Sequence, residues 1–203
     1  CLDKLNLLIA CDGLIPLPRF AIFNQTFDDS DWQYPLIVKP RSGSGSRGIV
    51  KVATPAELAK LERSSQLLVQ EYLPGEEFSV DVFANTQGEV LATVPRLRMK
   101  VDSGIAVVSR TVKDRELEEC ARQVSERIGL TYVANVQFRR NAAGRPCLLE
   151  VNPRFPGTMP LTVASGVNIP LLTLKELLGE PIKPEELRWQ ELAMVRTWHE
   201  TYL

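Results

Sequence analysis

The chain has 203 residues, enough for one ordinary domain or two small ones. Its 24 Lys+Arg against 25 Asp+Glu leave a net charge of −1, which builds in no general attraction to nucleic acid or anionic lipid, and no apolar run nears the ~20 residues of a membrane span. One histidine, His199, excludes His-rich metal sites, and four scattered cysteines, Cys1, Cys11, Cys120 and Cys147, fit buried reduced thiols rather than a zinc ribbon or a disulfide framework.

Leu2, Leu5, Leu8 and Ile9 recur at helical spacing, so the chain is expected to open on a short amphipathic helix ending near Gly13. Asp3 and Lys4 interrupt this stretch and no small-residue cleavage pattern follows, which argues against a signal peptide. Ile15-Pro16-Leu17-Pro18 is expected to be extended, and strands are predicted over 19–24, 35–39, 49–53 and 67–72. Between the last two, Thr54-Pro55-Ala56-Glu57 starts a helix, with Thr54 as N-cap, Pro55 in its first position and Glu57 closing a capping box. Beyond Pro74-Gly75, strands are predicted over 77–84, 89–99 and 105–112, with Gly88 in a hairpin turn. A helix over 115–128 carries Leu117, Cys120, Ala121, Val124 and Ile128 on one stripe. Strands over 132–140 and 146–151 flank a turn about Asn141 and Gly144, and a last helix over 169–178 stops at Gly179. Hairpins alternating with single helices predict an α+β fold rather than a doubly wound parallel sheet.

Three segments carry chemistry. The first is the loop Lys39-Pro40-Arg41-Ser42-Gly43-Ser44-Gly45-Ser46-Arg47-Gly48, where glycines let backbone N–H groups approach an anion and the flanking cations supply charge for phosphate oxygens. A Walker loop needs a lysine where Ile49 stands, and a dinucleotide fingerprint needs a helix where the β-branched run Ile49-Val50-Lys51-Val52 predicts a strand. A protein-kinase loop joins two strands as this one does, but the H-R-D and D-F-G elements are missing and the lysine precedes the loop. The second segment, Gln70-Glu71-Tyr72-Leu73-Pro74-Gly75-Glu76-Glu77, runs from an apolar strand into a turn whose free backbone groups suit an adenine edge, with Glu77 placed for ribose hydroxyls. In the third, Gln137 lies on one strand of a predicted hairpin and Glu150 and Asn152 on the other, on one face by alternation. An acid and two amides offer only oxygen ligands, which suits magnesium-nucleotide better than zinc. Arg154, two residues on, is placed to face a transferring phosphoryl group.

In this order the loop, the hinge and Leu148-Leu149-Glu150-Val151-Asn152-Pro153-Arg154 resemble the ATP-grasp superfamily, and most of all the ATP-binding module of carbamoyl-phosphate synthase large chains and the carboxylate-amine ligases like them. The resemblance implies two α+β lobes clamping ATP: lobe A over 19–73, lobe B over 74–182, a connecting helix from a missing N-terminal domain over 1–18 and a C-terminal extension over 183–203. It implies that Arg19 and Lys39 hold the ATP phosphates under the loop Ser42, Gly43, Ser44, Gly45, Ser46 and Gly48. Glu71, Tyr72 and Leu73 would bind adenine and Glu77 the ribose. Gln137, Glu150 and Asn152 would hold Mg2+ or Mn2+, and Asn152 and Arg154 would serve the acyl-phosphate step. Gln137 stands where many relatives carry an acid.

Arg96, Arg98 and Lys100 alternate on one predicted strand and are candidates to receive a substrate carboxylate or bicarbonate, with Pro156-Gly157-Thr158 near the metal. The implied function is ATP-dependent ligation, of the EC 6.3 kind, in which a carboxylate becomes an acyl-phosphate and an amine or other nucleophile displaces phosphate. The implied partners are those small-molecule carboxylate and amine substrates, without nucleic acid or membrane, in a cytoplasmic setting; a homo-oligomer is left open. An ATP-binding module of a carbamoyl-phosphate synthase and a non-catalytic nucleotide-binding module are the alternatives. Cys1 is not an initiating methionine, so the chain is expected to be a piece that binds nucleotide with little or no activity by itself.

Overall fold

A computed structural model describes residues 3–43, 45 and 47–197. Cys1, Leu2, Ser44, Ser46 and 198–203, which include His199, lie outside the described residues. The first helix, α1 (Lys4–Ala10), is N-capped by Asp3, whose carboxylate accepts from the N–H groups of Leu5 at 2.9 Å and Asn6 at 3.3 Å.

Strands β1 (Phe20–Ile22), β2 (Leu36–Pro40), β3 (Val50–Val52) and β4 (Leu67–Glu71) form an antiparallel sheet in the order β1-β4-β2-β3. Alternation sorts their side chains. Leu36, Val38, Val52 and Val69 face a core with Phe23, Phe27 and Leu58, while Leu68 on the other face packs against Leu5 and Leu8 of α1. Helix α2 (Pro55–Leu58) begins as its sequence dictates, with Thr54 Oγ1 accepting from Glu57 N–H and Glu57 accepting from Ala53 N–H at 2.8 Å, but it is a single turn.

The larger sheet contains β5 (Glu77–Ala84), β6 (Val90–Asp102), β7 (Ile105–Thr111), β8 (Tyr132–Arg140), β9 (Pro146–Asn152) and β10 (Ala193–Val195), all pairs antiparallel, in the order β10-β7-β6-β5-β8-β9. Helix α3 (Arg115–Arg127), capped by Asp114, lays Leu117, Cys120, Ala121 and Val124 on one face, against Phe78, Val80, Val82, Val136 and Phe138. Leu7, Cys11 and Ile15 join the same core, so α1 and the chain that follows tie both sheets together. Each buried Val, Leu, Ile or Phe among them contributes roughly 1.5–3 kcal/mol. The other face is divided. Its apolar part, Phe83, Ala92 and Val94, is covered by α4 (Met159–Ser165) and α5 (Ile169–Leu178), and the rest is polar.

The α+β expectation agrees with these two antiparallel sheets and their flanking helices. Three elements were not expected: α4, a 3-10 turn at Pro184–Leu187, and β10. Residues 182–195 are part of the larger sheet's packing, since Ile182, Leu187 and Trp189 cover its apolar face and β10 pairs with β7. Cys11, Cys120 and Cys147 are free and buried. No single helix among the described residues is long and apolar enough to cross a membrane.

Candidate active site

A cleft of about 160 Å³ opens between the sheets. From the smaller sheet it takes Ile37, Lys39, Gln70, Tyr72 and Leu73, with Ile49 from the glycine loop's end; from the larger it takes Glu77, Gln137, Arg139, Leu149 and Glu150. Lys4 of α1 closes one end, where the cleft continues along Pro40, Ser42, Gly43 and Arg47.

The cationic end is assembled by the start of the chain. Lys4 N–H donates to Arg41 O at 2.9 Å, and the Arg41 guanidinium grips Asp3 through Nη2–Oδ2 at 2.6 Å and Nε–Oδ1 at 3.3 Å. This docking holds the Asp3 carboxyl below its ordinary pKa, chiefly through the Arg41 hydrogen bond, and aims Lys4 into the cleft. Lys4 Nζ donates to Gly43 O at 3.2 Å and lies 3.9 Å from Glu150 Oε2. Lys39, on β2, is only 4% exposed. Burial lowers its pKa from 10.5 to about 8, with Lys4 adding to the fall and Glu150 opposing it. Gly48 is required by φ +73 and by Pro40, whose Cγ would stand 3.0 Å from an added Cβ.

At the opposite end, Gly75 approaches so closely that a Cβ there would lie 2.7 Å from Arg140 Cβ and O. The turn it permits delivers Glu77 between two arginines, with Arg98 Nε 2.8 Å from Oε1 and Arg139 Nη1 3.6 Å from Oε2. Tyr72 is flanked by Lys51, 4.0 Å from its ring centroid, and Arg139, 5.7 Å away. Along the floor, Gln137 and Glu150 are directly paired, as are Asn135 and Asn152, and a bulge puts Leu149 beside Glu150 in the cleft wall. Asn152 Nδ2 donates to Glu150 Oε1 at 3.0 Å and Gln137 Nε2 to Asn135 Oδ1 at 3.4 Å. Among the described residues no cluster of three His, Cys, Asp or Glu could hold a metal, so an ion here would rest on Glu150 and amide oxygens.

Several expectations require correction. Arg19 does not line the cleft; its guanidinium is held by Asp31 Oδ2 at 2.6 Å and Asp31 O at 2.8 Å and stacks 4.3 Å over Trp32, and Lys4 fills the phosphate end instead. Strand alternation turns Gln70 and Tyr72 into the cleft, so Glu71 between them is not among its lining residues. Arg96 is unavailable to a substrate: it is 0% exposed and paired with Asp81 through Nε–Oδ2 at 3.0 Å and Nη2–Oδ1 at 2.7 Å, while Nη1 donates to Thr158 Oγ1. Arg98 is committed to Glu77 and to Gly104 O at 3.0 Å. Lys100 is exposed beyond a bulge at Met99 that interrupts the alternation. Arg154 is exposed, donating to Phe155 O at 3.3 Å, outside the cavity wall. Ser44 and Ser46 lie outside the described residues, whereas Gly45 reaches across to the β6–β7 turn at Gly104.

Lys4, Gln70 and Arg139 line the cleft without having been singled out. Lys4 left a signal, a lysine on the apolar side of an amphipathic helix.

The family model described as ATP-grasp in the biosynthetic pathway with Ter operon matches residues 63–201. The chain belongs to this ATP-grasp family. It is similar to D-alanine–D-alanine ligase B of Pseudomonas putida, 28% identical over 174 residues that cover 74% of this chain and 54% of that one. It is also similar to the carbamoyl phosphate synthase arginine-specific large chain of Geobacillus stearothermophilus, 27% identical over 162 residues, 73% of this chain and 15% of that one. Among solved structures, Rhizobium etli pyruvate carboxylase superposes with a TM-score of 0.77 at 19% identity, covering 94% of this chain and 20% of that one. The ATP-grasp chain spans about half the length of the first curated relatives it matches.

Proposed function

We propose that the protein binds Mg-ATP in this cleft and activates a carboxylate as an acyl-phosphate for attack by an amine. The observation that carries the proposal is the convergence of Lys4, Lys39 and the Gly43 loop on Glu150 at one end of a cleft whose other end holds Glu77 between Arg98 and Arg139. The lysines and the loop backbone would grip the triphosphate, and Glu77, fixed by Arg98 and Arg139, would accept from the ribose hydroxyls.

Glu150, with the amide oxygens of Gln137 and Asn152, would hold Mg2+ or Mn2+. One carboxylate and neutral oxygens suit an ion that keeps several waters and binds phosphate, and when bound it would offset charge on the transferring group. In the reaction a carboxylate oxygen attacks the γ-phosphorus, the bond to the β–γ bridging oxygen breaks, and ADP leaves. The amine then attacks the acyl carbon, loses a proton and expels inorganic phosphate. The ligase and synthase among the relatives support ligation as the reaction class.

The test is ATP turnover with candidate carboxylates and amines, following oxygen-18 from the carboxylate. One labelled oxygen is expected in the released phosphate. Turnover without label transfer would overturn the acyl-phosphate step.

A further inference from the structure

Two of the three oxygen donors on the cleft floor are amides, and an amide has two unlike ends. Asn152 is set by its neighbour, since Glu150 Oε1 accepts from Nδ2 at 3.0 Å and so leaves the amide oxygen for a cation. Gln137 is set differently. Glu150 stands directly opposite it on β9, but Gln137 Nε2 donates to Asn135 Oδ1 at 3.4 Å instead. Asn135 is in turn fixed by Asp81, its direct partner across β5 and β8, whose Oδ1 accepts from Asn135 Nδ2 at 2.7 Å. Asp81 is fully buried and accepts at both oxygens, from Arg96 Nε at 3.0 Å, from Arg96 Nη2 at 2.7 Å and from Thr162 Oγ1. A carboxylate paired with arginine can only accept, so Asn135 must turn its NH2 group to Asp81 and its oxygen to Gln137. A reversed Gln137 amide would set two carbonyl oxygens against each other there. Nε2 therefore faces Asn135, and Oε1 is left for the cleft, whose wall Gln137 lines.

We propose that Asp81 and Asn135 are positioning residues for the metal site: Asp81, acting through Asn135, sets the Gln137 amide oxygen-first toward the cation while touching neither the ion nor the nucleotide. The inference rests on the proposed Mg-nucleotide site and adds what gives Gln137 its polarity. A carboxylate at position 137 would need no such device, because both its ends are oxygen. The amide does need it. From Arg96 through Asp81 and Asn135 to Gln137 the bonds cross the neighbouring strands β6, β5 and β8, and each has only one allowed direction once Asp81 is paired with Arg96. Metal ligands are oriented by the groups behind them, and loss of such a group commonly costs about tenfold to a hundredfold in metal affinity.

The test is ADP binding by calorimetry in excess Mn2+ and in EDTA. The ratio of the two affinities reads the metal contact apart from any general damage to the nucleotide site. Asn135→Leu cuts the relay while Arg96 and Thr162 stay on Asp81, and its ratio is expected to fall about tenfold or more below that of the wild type. Gln137→Glu alone is expected to keep the metal effect, and in that background Asn135→Leu is expected to change the ratio by about twofold or less. Replacing the ion pair as a unit, Asp81→Leu with Arg96→Met, strands no buried charge and removes the head of the relay. The same fall is expected, again absent in Gln137→Glu. A ratio unchanged by Asn135→Leu, or an equal fall in both backgrounds, overturns the relay and leaves the proposed function standing. A ratio that survives replacement of the pair removes Asp81 from the relay. Loss of the metal effect in Gln137→Glu alone removes Gln137 from the ligands and overturns the inference as well. A wild-type ratio near one overturns the metal site itself and this inference with it.

Discussion

Two buried cations sit on facing sheets of this molecule in opposite conditions. Arg96, on the larger sheet, is enclosed by its own protein: Asp81 takes Nε and Nη2, Thr158 takes Nη1, and the Asp81 carboxylate also accepts from Asn135 Nδ2 at 2.7 Å and from Thr162 Oγ1. Lys39, on the smaller sheet, is nearly as buried, but burial outweighs the pull of Glu150 and Lys4 pushes against it, so its pKa falls to about 8. A cation whose charge is met inside the fold holds structure together. One whose charge is unmet beside a cleft is held ready for an external anion.

The largest way to break this contrast is to remove the internal partner. Asp81→Ala leaves Arg96 charged, buried and unpaired, and also frees Asn135 and Thr162, so about 3–5 kcal/mol of stability is expected to be lost. Urea unfolding of the variant measures it, and a loss under about 1 kcal/mol would mean that Arg96 finds water or another acceptor.

Lys39→Met sharpens the other half. Without an internal partner to strand, the variant is expected to be at least as stable as the wild type, while affinity for Mg-ATP falls by about tenfold or more as charge-assisted contacts to phosphate vanish. The same lysine sets a pH dependence. Between about 8 and 10.5 the unfolded chain binds more proton at Lys39 than the folded one. Stability attributable to Lys39 therefore rises with pH across that window, and the burial penalty is fully present below it. Nucleotide affinity runs the other way, since above about pH 8 the free protein carries Lys39 neutral. The difference between wild type and Lys39→Met, in unfolding and in Mg-ATP titrations at pH 7 and 9, isolates both trends. A wild-type affinity that holds steady to pH 9 would show that Lys39 takes up no proton when nucleotide binds, and would overturn its role as a charged contact to phosphate.

The same contrast explains what was legible in the sequence. Period-two alternation placed β2, β4, β5 and β8 and put Gln137, Glu150 and Asn152 on one face, because a half-buried strand must alternate. It also put Arg96 on the correct face of β6. It could not tell that α4 covers that part of the face, since α4 has only seven residues with Pro160 in its first turn and no apolar stripe long enough to read. Once α4 is in place, Thr158 and Thr162 close over Asp81 and Arg96, and a candidate substrate group becomes an anchor. Bulges at Met99 and Leu149 change the register where no pattern announces them. β10 is a three-residue edge strand paired on one side only, too short to carry a period. Lys4 reads in the sequence only as a break in an apolar stretch, because the Asp3–Arg41 pair that aims it joins residues far apart in sequence.

Arg19 supplies the smallest expected effect and the sharpest boundary to the comparison, because it is a cation neither enclosed nor held ready. Its side chain is 47% exposed and its partner Asp31 70% exposed, so their ion pair sits in water, where such pairs contribute roughly 0–1 kcal/mol. The stacking on Trp32 at 4.3 Å adds a similar small amount at an exposed site. Arg19→Ala is therefore expected to cost about 1 kcal/mol of stability or less and to leave Mg-ATP affinity within about twofold of the wild type. A tenfold loss of affinity at unchanged stability would mean that the guanidinium leaves Asp31 for the nucleotide. In that case its ion pair is a resting position, and the phosphate end of the cleft includes β1 as well as α1.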